Sequence, residues 1–311
     1  MKIVALAGGV GGAKLVHGFA QILAADDLTV IVNTGDDFHH WGLKICPDLD
    51  TVCYTVAGLA NPETGWGRRD ETWIVLNEVK RLQGEDWFRI GDRDLATHVE
   101  RTERLASGQT LTHVTQSFCR SWGIRCTILP MSDDPIATIV NTQDNGEMAF
   151  QEYFAHQKSA PRIKGVRFAG IEYSRPSPGV LESIASADAV VFCPSNPWVS
   201  LDPILSVPGI LPSVKKKKVV ASVSPIVGGK AIKGPAAKMF NELGIEPSAL
   251  AVARHYHGTI THFISDDQDK HLESDISSLE LNSFTTDTIM NTEADRRRVA
   301  VDVLNFIKRS P

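Results

Sequence analysis

Lys14 closes the stretch of this chain best suited to chemistry, Gly8-Gly9-Val10-Gly11-Gly12-Ala13-Lys14. A short apolar run, Ile3 to Ala7, precedes it, and Leu15, Phe19, Ile22 and Leu23 follow at helical spacing. Strand, glycine turn and helix are therefore expected in that order. Glycine lets backbone approach a ligand closely, and a helix start offers free N–H groups and a positive dipole end. The chemistry this favours is phosphate or nucleotide binding; the plainer reading is a tight turn that binds nothing. The turn is not a P-loop, because Leu15 follows the lysine and no hydroxyl is placed for a metal. Nor is it a full dinucleotide fingerprint. Gly9-x-Gly11 begins correctly, but Lys14 stands where the last glycine belongs.

Three more turns carry unusual residues. The second strand, expected at Leu28 to Asn33, runs into Asn33-Thr34-Gly35-Asp36-Asp37 rather than ending in a ribose-binding acid. An apolar run over Ala187 to Cys193 ends in Pro194-Ser195-Asn196-Pro197, and another over Lys218 to Val223 ends in Ser224-Pro225-Ile226-Val227-Gly228-Gly229-Lys230. Ligands of open α/β sheets gather outside the carboxyl ends of strands, so all four turns should line one crevice. Two glycine loops with Lys14, Lys230 and the nearby Lys233 suit a diphosphate. Ser195 and Asn196 could read a base or ribose by hydrogen bonds. Taken singly, each proline-bounded turn could equally be plain strand termination.

Asp36, Asp37, Asp48 and Asp50 fall close together in sequence, and oxygen-only groups near phosphates suit magnesium. Asp48 reads as the N-cap of a helix whose apolar face is Leu49, Val52, Cys53 and Val56. Asp37 could be a turn residue. Asp50 has no obvious structural task. His39 and His40 should point apart on a strand, and His255-x-His257 could share a strand face but lacks a third ligand.

These residues need a scaffold. Helical stretches near 71–83, 92–106 and 109–122 contain no strand signal, so 61–123 reads as a helical insertion covering one side of the sheet. It carries Trp66, Trp73, Trp87 and Phe88 beside Arg68, Arg69, Arg89 and Arg93, which would suit a flat aromatic ligand. Strand signals return at Arg125 to Leu129. A hairpin follows, its arms 138–142 and 147–154 flanking Asn145-Gly146. A helix is expected near 235–243, and the last one starts at Thr292 with a capping-box pattern to Asp295. Strands alternating with helices give an α/β class, a Rossmann-like, doubly wound and mostly parallel sheet, with residues 1–311 as one domain.

Composition narrows the function. The 311 residues carry a net charge of −5, which argues against broad nucleic-acid binding. No apolar run approaches the length of a membrane span, and the N-terminus passes straight into a strand, so a cytoplasmic protein without a signal peptide is expected. Cys46, Cys53, Cys119, Cys126 and Cys193 show no zinc spacing and read as buried, reduced thiols. The lysines 215–218 precede an apolar strand and read as a solvated loop.

Four segments together carry a resemblance. They are Ala7 to Lys14, Asn33 to Asp37, Pro47-Asp48-Leu49-Asp50, and the run from Ser224 to Lys238, supported by Cys193-Pro-Ser-Asn-Pro197. The chain resembles the 2-phospho-L-lactate transferases of deazaflavin coenzyme (coenzyme F-420) biosynthesis over essentially its whole length. The resemblance implies a homodimer that requires Mg2+. It implies transfer of a phospholactyl group from lactyl-diphosphoguanosine to the riboflavin-like precursor Fo, releasing GMP. Bacterial members use an enolpyruvyl donor instead. Asp50 and Arg89 would belong to the Fo pocket, with Asp50 at the ribitol end or the metal and Arg93 as a second choice for the deazaflavin end. Gly9, Gly11, Gly12 and Lys14 would face phosphate; Ser195, Asn196, Ser224, Lys230 and Lys233 would hold the guanosine diphosphate part; and Asp36, Asp37 or Asp50 would hold the metal. A non-catalytic nucleotide-sugar-binding regulator would keep the glycine loops but needs no acidic cluster. A nicotinamide oxidoreductase would need the missing third glycine and ribose acid.

Overall fold

Short, apolar, β-branched runs buried on both faces are the signature of parallel strands, and these runs assemble the centre of the protein. The computed structural model describes residues 1–309. Its strands in chain order are β1 (Ile3–Ala7), β2 (Leu28–Val32), β3 (Phe38–His40), β4 (Leu43–Ile45), β5 (Thr127–Pro130), β6 (Ala137–Thr142), β7 (Glu147–Ala149), β8 (Ile163–Ala169), β9 (Ala189–Phe192), β10 (Val220–Val223), β11 (Ile226–Val227), β12 (Lys230–Ala231), β13 (His262–Ser265) and β14 (Asn282–Thr285).

Seven of them form one sheet in the order β14-β13-β10-β9-β1-β2-β5, and every pair is parallel. The chain lays β1, β2 and β5 outward on one side. It then returns to place β9 against the free edge of β1 and continues through β10, β13 and β14. The strand order reverses between β1 and β9, which is where an open α/β sheet opens a ligand crevice. Ala7 is level with Val32, and Leu6 with Phe192, so the carboxyl ends of β1, β2 and β9 sit side by side.

The helices that bear on the site are α1 (Gly9–Ile22), α2 (Pro47–Val56), α3 (Ile74–Arg81), α4 (Asp92–Ala106) and α5 (Leu111–Ser121). On one face of the sheet, α1, α2, α5 and the C-terminal helix Glu293–Lys308 bury Leu15, Phe19, Val52, Cys119, Val299 and Val303 against β1, β2 and β9. The other face buries Leu6, Ile31, Val190, Phe192 and Phe263. The C-terminal helix begins with the capping box expected at Thr292 and Asp295. All five cysteines are free and buried. Among the described residues no helix is long and apolar enough to cross a membrane.

The insertion helices fall where periodicity placed them, but α4 does so with an unusual face. Asp94, Thr97, His98 and Arg101 are its buried residues. Elsewhere the structure departs from expectation. The hairpin's second arm stops at Ala149, and Glu152–His156 forms a π-helical turn, because Phe150 and Tyr153 turn inward onto Val140, Ile163 and Met239. β8 then completes a three-stranded antiparallel sheet. β13 and β14 are strands that no expected apolar run marks. His255 ends the helix Ala249–His255 and pairs with Asp202 at 3.0 Å, so it shares no strand with His257.

Candidate active site

A cavity of about 710 Å³ opens at the carboxyl ends of the sheet, and all four unusual turns meet in it. Gly8, Gly9, Gly11 and Lys14 come from the end of β1, and Asp36 from the end of β2. Ser195 and Asn196 follow β9, and Ser224 and Lys233 follow β10. The Lys14 ammonium donates to the Met290 carbonyl at 2.6 Å, and that of Lys233 to the Thr64 carbonyl at 2.7 Å. Among the described residues neither has a carboxylate partner. Burial, then the charges of Arg296 and Lys233, push the Lys14 ammonium below its usual range. Two lysines without a carboxylate partner beside a helix start favour an anion there.

Several expected residues do other work. Gly12 does not line the cavity; a Cβ there would lie 2.5 Å from Ser195 Oγ, so this glycine lets α1 pack on the turn after β9. Lys230 is exposed and lies outside the cavity, because the antiparallel pair β11–β12 turns it away. The Ser195 hydroxyl donates to Gly8 O at 2.8 Å and accepts from Gly8 N at 3.1 Å. The Ser224 hydroxyl closes its own turn onto Ile226 in the same way. Both serines shape the cavity with hydroxyls already committed. Asn196 caps Trp198 N through its side-chain oxygen at 3.1 Å, and its amide faces Met239 Sδ at 3.3 Å.

Asp48 is not the N-cap of α2. Pro47 occupies the first helical position, which makes Cys46 the capping residue. Asp48 instead accepts from Gly9 N at 2.7 Å and from the Asn33 amide at 2.9 Å, tying the glycine turn to the end of β2. Asp36 lies beside it, 5% exposed, with Oδ1 lacking any hydrogen-bond partner. Burial, then the neighbouring Asp48, pushes the Asp36 carboxyl well above the carboxylate range, and burial raises Asp48 to about 6. Asp37 is drawn off by the Lys44 ammonium at 3.3 Å and the Cys46 thiol at 3.0 Å, and it does not line the cavity.

The Asp48 shift has a measurable consequence. With a folded pKa of about 6 against 3.8 unfolded, the folded state holds an extra proton between those values, so stability falls as pH rises through that window. A divalent cation held by Asp36 and Asp48 would remove that penalty. Thermal denaturation with and without MgCl2 should show a stabilisation that is small at pH 5 and grows to several degrees at pH 8. An equal shift at both pH values would contradict the assignment.

Opposite the turns, the insertion supplies Trp66, Trp87, Phe88 and Arg89, facing Phe150 and Phe154. The Arg89 guanidinium stacks on Trp73 at 4.5 Å, with no carboxylate partner among the described residues. Arg93 lies outside the cavity; its backbone N–H donates to Glu71 at 2.8 Å.

Asp50 lies between the two walls, and the insertion holds it. Both carboxylate oxygens accept from the Arg101 guanidinium, one at 3.0 Å and the other closer still. Asp50 is 6% and Arg101 3% exposed. Asp50, Asp94 and His98 offer ligand atoms within 4.8 Å of one another, but both oxygens of Asp50 are already taken by the Arg101 guanidinium. The Asp36 oxygen without a partner, beside Asp48, is a second place in the cavity that could hold a cation.

A family profile described as "2-phospho-L-lactate transferase CofD" matches residues 3–305. The chain belongs to the CofD family. This is a family of transferases. Among its curated relatives, a phosphoenolpyruvate transferase of Streptomyces griseus is 48% identical over 261 residues, 82% of each chain. A 2-phospho-L-lactate transferase of Methanosarcina mazei is 37% identical over 298 residues, 96% of this chain and 98% of that one. A crystal structure of a Bacillus halodurans protein shares the fold at a TM-score of 0.64 and 15% identity, over 97% of this chain and 99% of that one. Within the CofD fold as this chain builds it, the sequence pattern gives no sign of Asp94, His98 and Arg101, and it assigns Asp48 to a helix cap. Pro47 was the available signal for Asp48. The other three sit on a helix whose polar side chains read as solvent-facing.

Proposed function

We propose that this CofD-family chain transfers a phosphorylated three-carbon acid from a guanosine diphosphate ester to the terminal ribitol hydroxyl of Fo, releasing GMP. The observation that carries the reading is one cavity with two walls. Lys14, Lys233 and the start of α1 form one wall, and Arg89 among aromatic rings forms the other. A diphosphate fits the first, and a flat tricycle whose ring hydroxyl is acidic fits the second.

The chemistry asked of the protein is modest. The hydroxyl oxygen forms a bond to the phosphorus that carries the three-carbon acid, the bond from that phosphorus to the GMP oxygen breaks, and the hydroxyl proton passes to water as GMP leaves. Phosphoryl transfer of this kind depends on positioning and charge neutralisation more than on a strong base. Lys14 and Lys233 neutralise the diphosphate. Asp50, held rigid by Arg101, accepts a hydrogen bond from the attacking hydroxyl and aims it. Asp36 and Asp48 would hold magnesium, which when bound offsets phosphate charge.

The relatives favour a particular donor. Proteins named phosphoenolpyruvate transferase match at 40–48%, against 36–37% for those named 2-phospho-L-lactate transferase. The enolpyruvyl donor is therefore the first to test and the lactyl donor the second. Incubating the enzyme with Fo, magnesium and either guanosine ester, and following GMP and product mass, decides between them. Nucleotide binding with no product from either ester would instead leave the non-catalytic regulator. Lys14→Ala and Lys233→Ala should each weaken GDP binding by about 10- to 100-fold while leaving Fo affinity unchanged, as read by calorimetry.

A further inference from the structure

His98 lines the same cavity, is 1% exposed, and has no part in the reading so far. Its Nδ1 lies 3.3 Å from Arg101 Nη1. A guanidinium only donates, so Nδ1 accepts, and in the neutral ring the proton sits on Nε2. Among the described residues that Nε2 makes no close hydrogen bond, although Asp94 Oδ1 lies within ion-pair reach at 3.4 Å. Buried donors are rarely left unpaired without a reason. His98 Nδ1 is also only 3.8 Å from Asp50 Oδ2, so ring and carboxylate border the same space.

We propose that His98 is an acceptor-binding residue: its Nε2–H donates to a hydroxyl of the acceptor's polyol chain, while that hydroxyl donates to Asp50. A hydroxyl both gives and takes one hydrogen bond, so it is the group that satisfies an acceptor and a donor set side by side. A ring carbonyl satisfies only His98, and a phosphate would face Asp50. Arg101 is a positioning residue that serves both partners at once. It orients the carboxylate and fixes the tautomer of the ring.

The inference rests on the acceptor reading above, and its test separates the two. The probes are Fo and an analogue with a methyl group in place of the ribitol, titrated by fluorescence, with GDP binding followed by calorimetry. Wild type should bind Fo more tightly than the analogue. His98→Phe should bind Fo about tenfold more weakly, the analogue unchanged and GDP unchanged; His98→Gln, which keeps a donor, should stay within about threefold of wild type. If wild type binds neither deazaflavin, the acceptor reading fails. If wild type prefers Fo and His98→Phe keeps that preference, or loses GDP binding equally, the role of His98 fails. Should His98→Phe not fold, nitrogen NMR of histidine-labelled wild type decides. Nδ1 should resonate as unprotonated and Nε2 as protonated, with Nε2 moving when Fo but not the analogue is added. The reverse tautomer or an unmoved Nε2 overturns the proposal.

Discussion

Asp50→Ala should abolish turnover and also lower stability by about 3–5 kcal/mol. The stability loss follows from the partner left behind. Arg101 lies on α4 at 3% exposure, and its guanidinium is paired to both oxygens of Asp50. Removing the carboxylate strands a buried cation whose remaining hydrogen-bond partners among the described residues are the Lys44 carbonyl at 3.3 Å and the His98 ring nitrogen. Urea titration should therefore show a markedly lower midpoint, and α4 should loosen first. A second variant separates structure from chemistry. Asp50→Ala with Arg101→Met removes both charges, and replacing a buried pair with apolar side chains is often neutral or stabilising. That double variant should recover most of the lost stability yet still make no product. If it regained turnover, Asp50 would be a structural anchor and not part of the acceptor site.

Gly11→Ala should carry the second largest effect. A Cβ at this position would lie 2.3 Å from the Pro194 carbonyl oxygen, a backbone atom with no side-chain freedom to yield. The clash can be relieved only by moving α1 away from the turn after β9, and those two elements form the diphosphate wall. Overpacking of this kind costs about 1–3 kcal/mol. If that cost falls on the bound geometry, GDP affinity should drop by about 10- to 100-fold while Fo affinity holds. Gly165→Ala is the control, because nothing lies within 4 Å of its Cβ and its φ is ordinary. Equal losses in the two variants would show that the close approach of Gly11 is not what shapes the wall.

The sequence made the sheet side of this protein legible and the insertion side only partly so. Gly11, Lys14, Asp36 and Asn196 sit beside apolar runs whose length and position leave few folds open, and a parallel sheet gathers its strand ends on one edge. Their meeting in one cavity follows from topology. Asp48 was misassigned because an aspartate near a helix start has a common local use, and only Pro47 argued against it. Arg101, His98 and Asp94 are a different case. They lie at helical spacing on α4, and a polar face ordinarily meets water. Here it meets Asp50 and Tyr54 of α2, a long-range pairing that no local pattern records. Lys230 stands outside the cavity for a related reason. The two-residue strands β11 and β12 decide which lysine of that loop faces the cavity, and Lys233 does so. β13 and β14 escaped notice because their burial depends on neighbours rather than on their own composition.

The central claim is that one cavity holds a nucleoside diphosphate and a deazaflavin together, each on its own wall. The most direct measurement is a fluorescence titration of Fo into the wild-type protein, first alone and then with GDP and magnesium at saturation. The account predicts micromolar binding of Fo in both titrations, with affinity in the presence of GDP equal to or tighter than without it. Loss of Fo binding as GDP fills the site would mean that the two ligands compete for one position, and the two-walled reading of the cavity would be wrong.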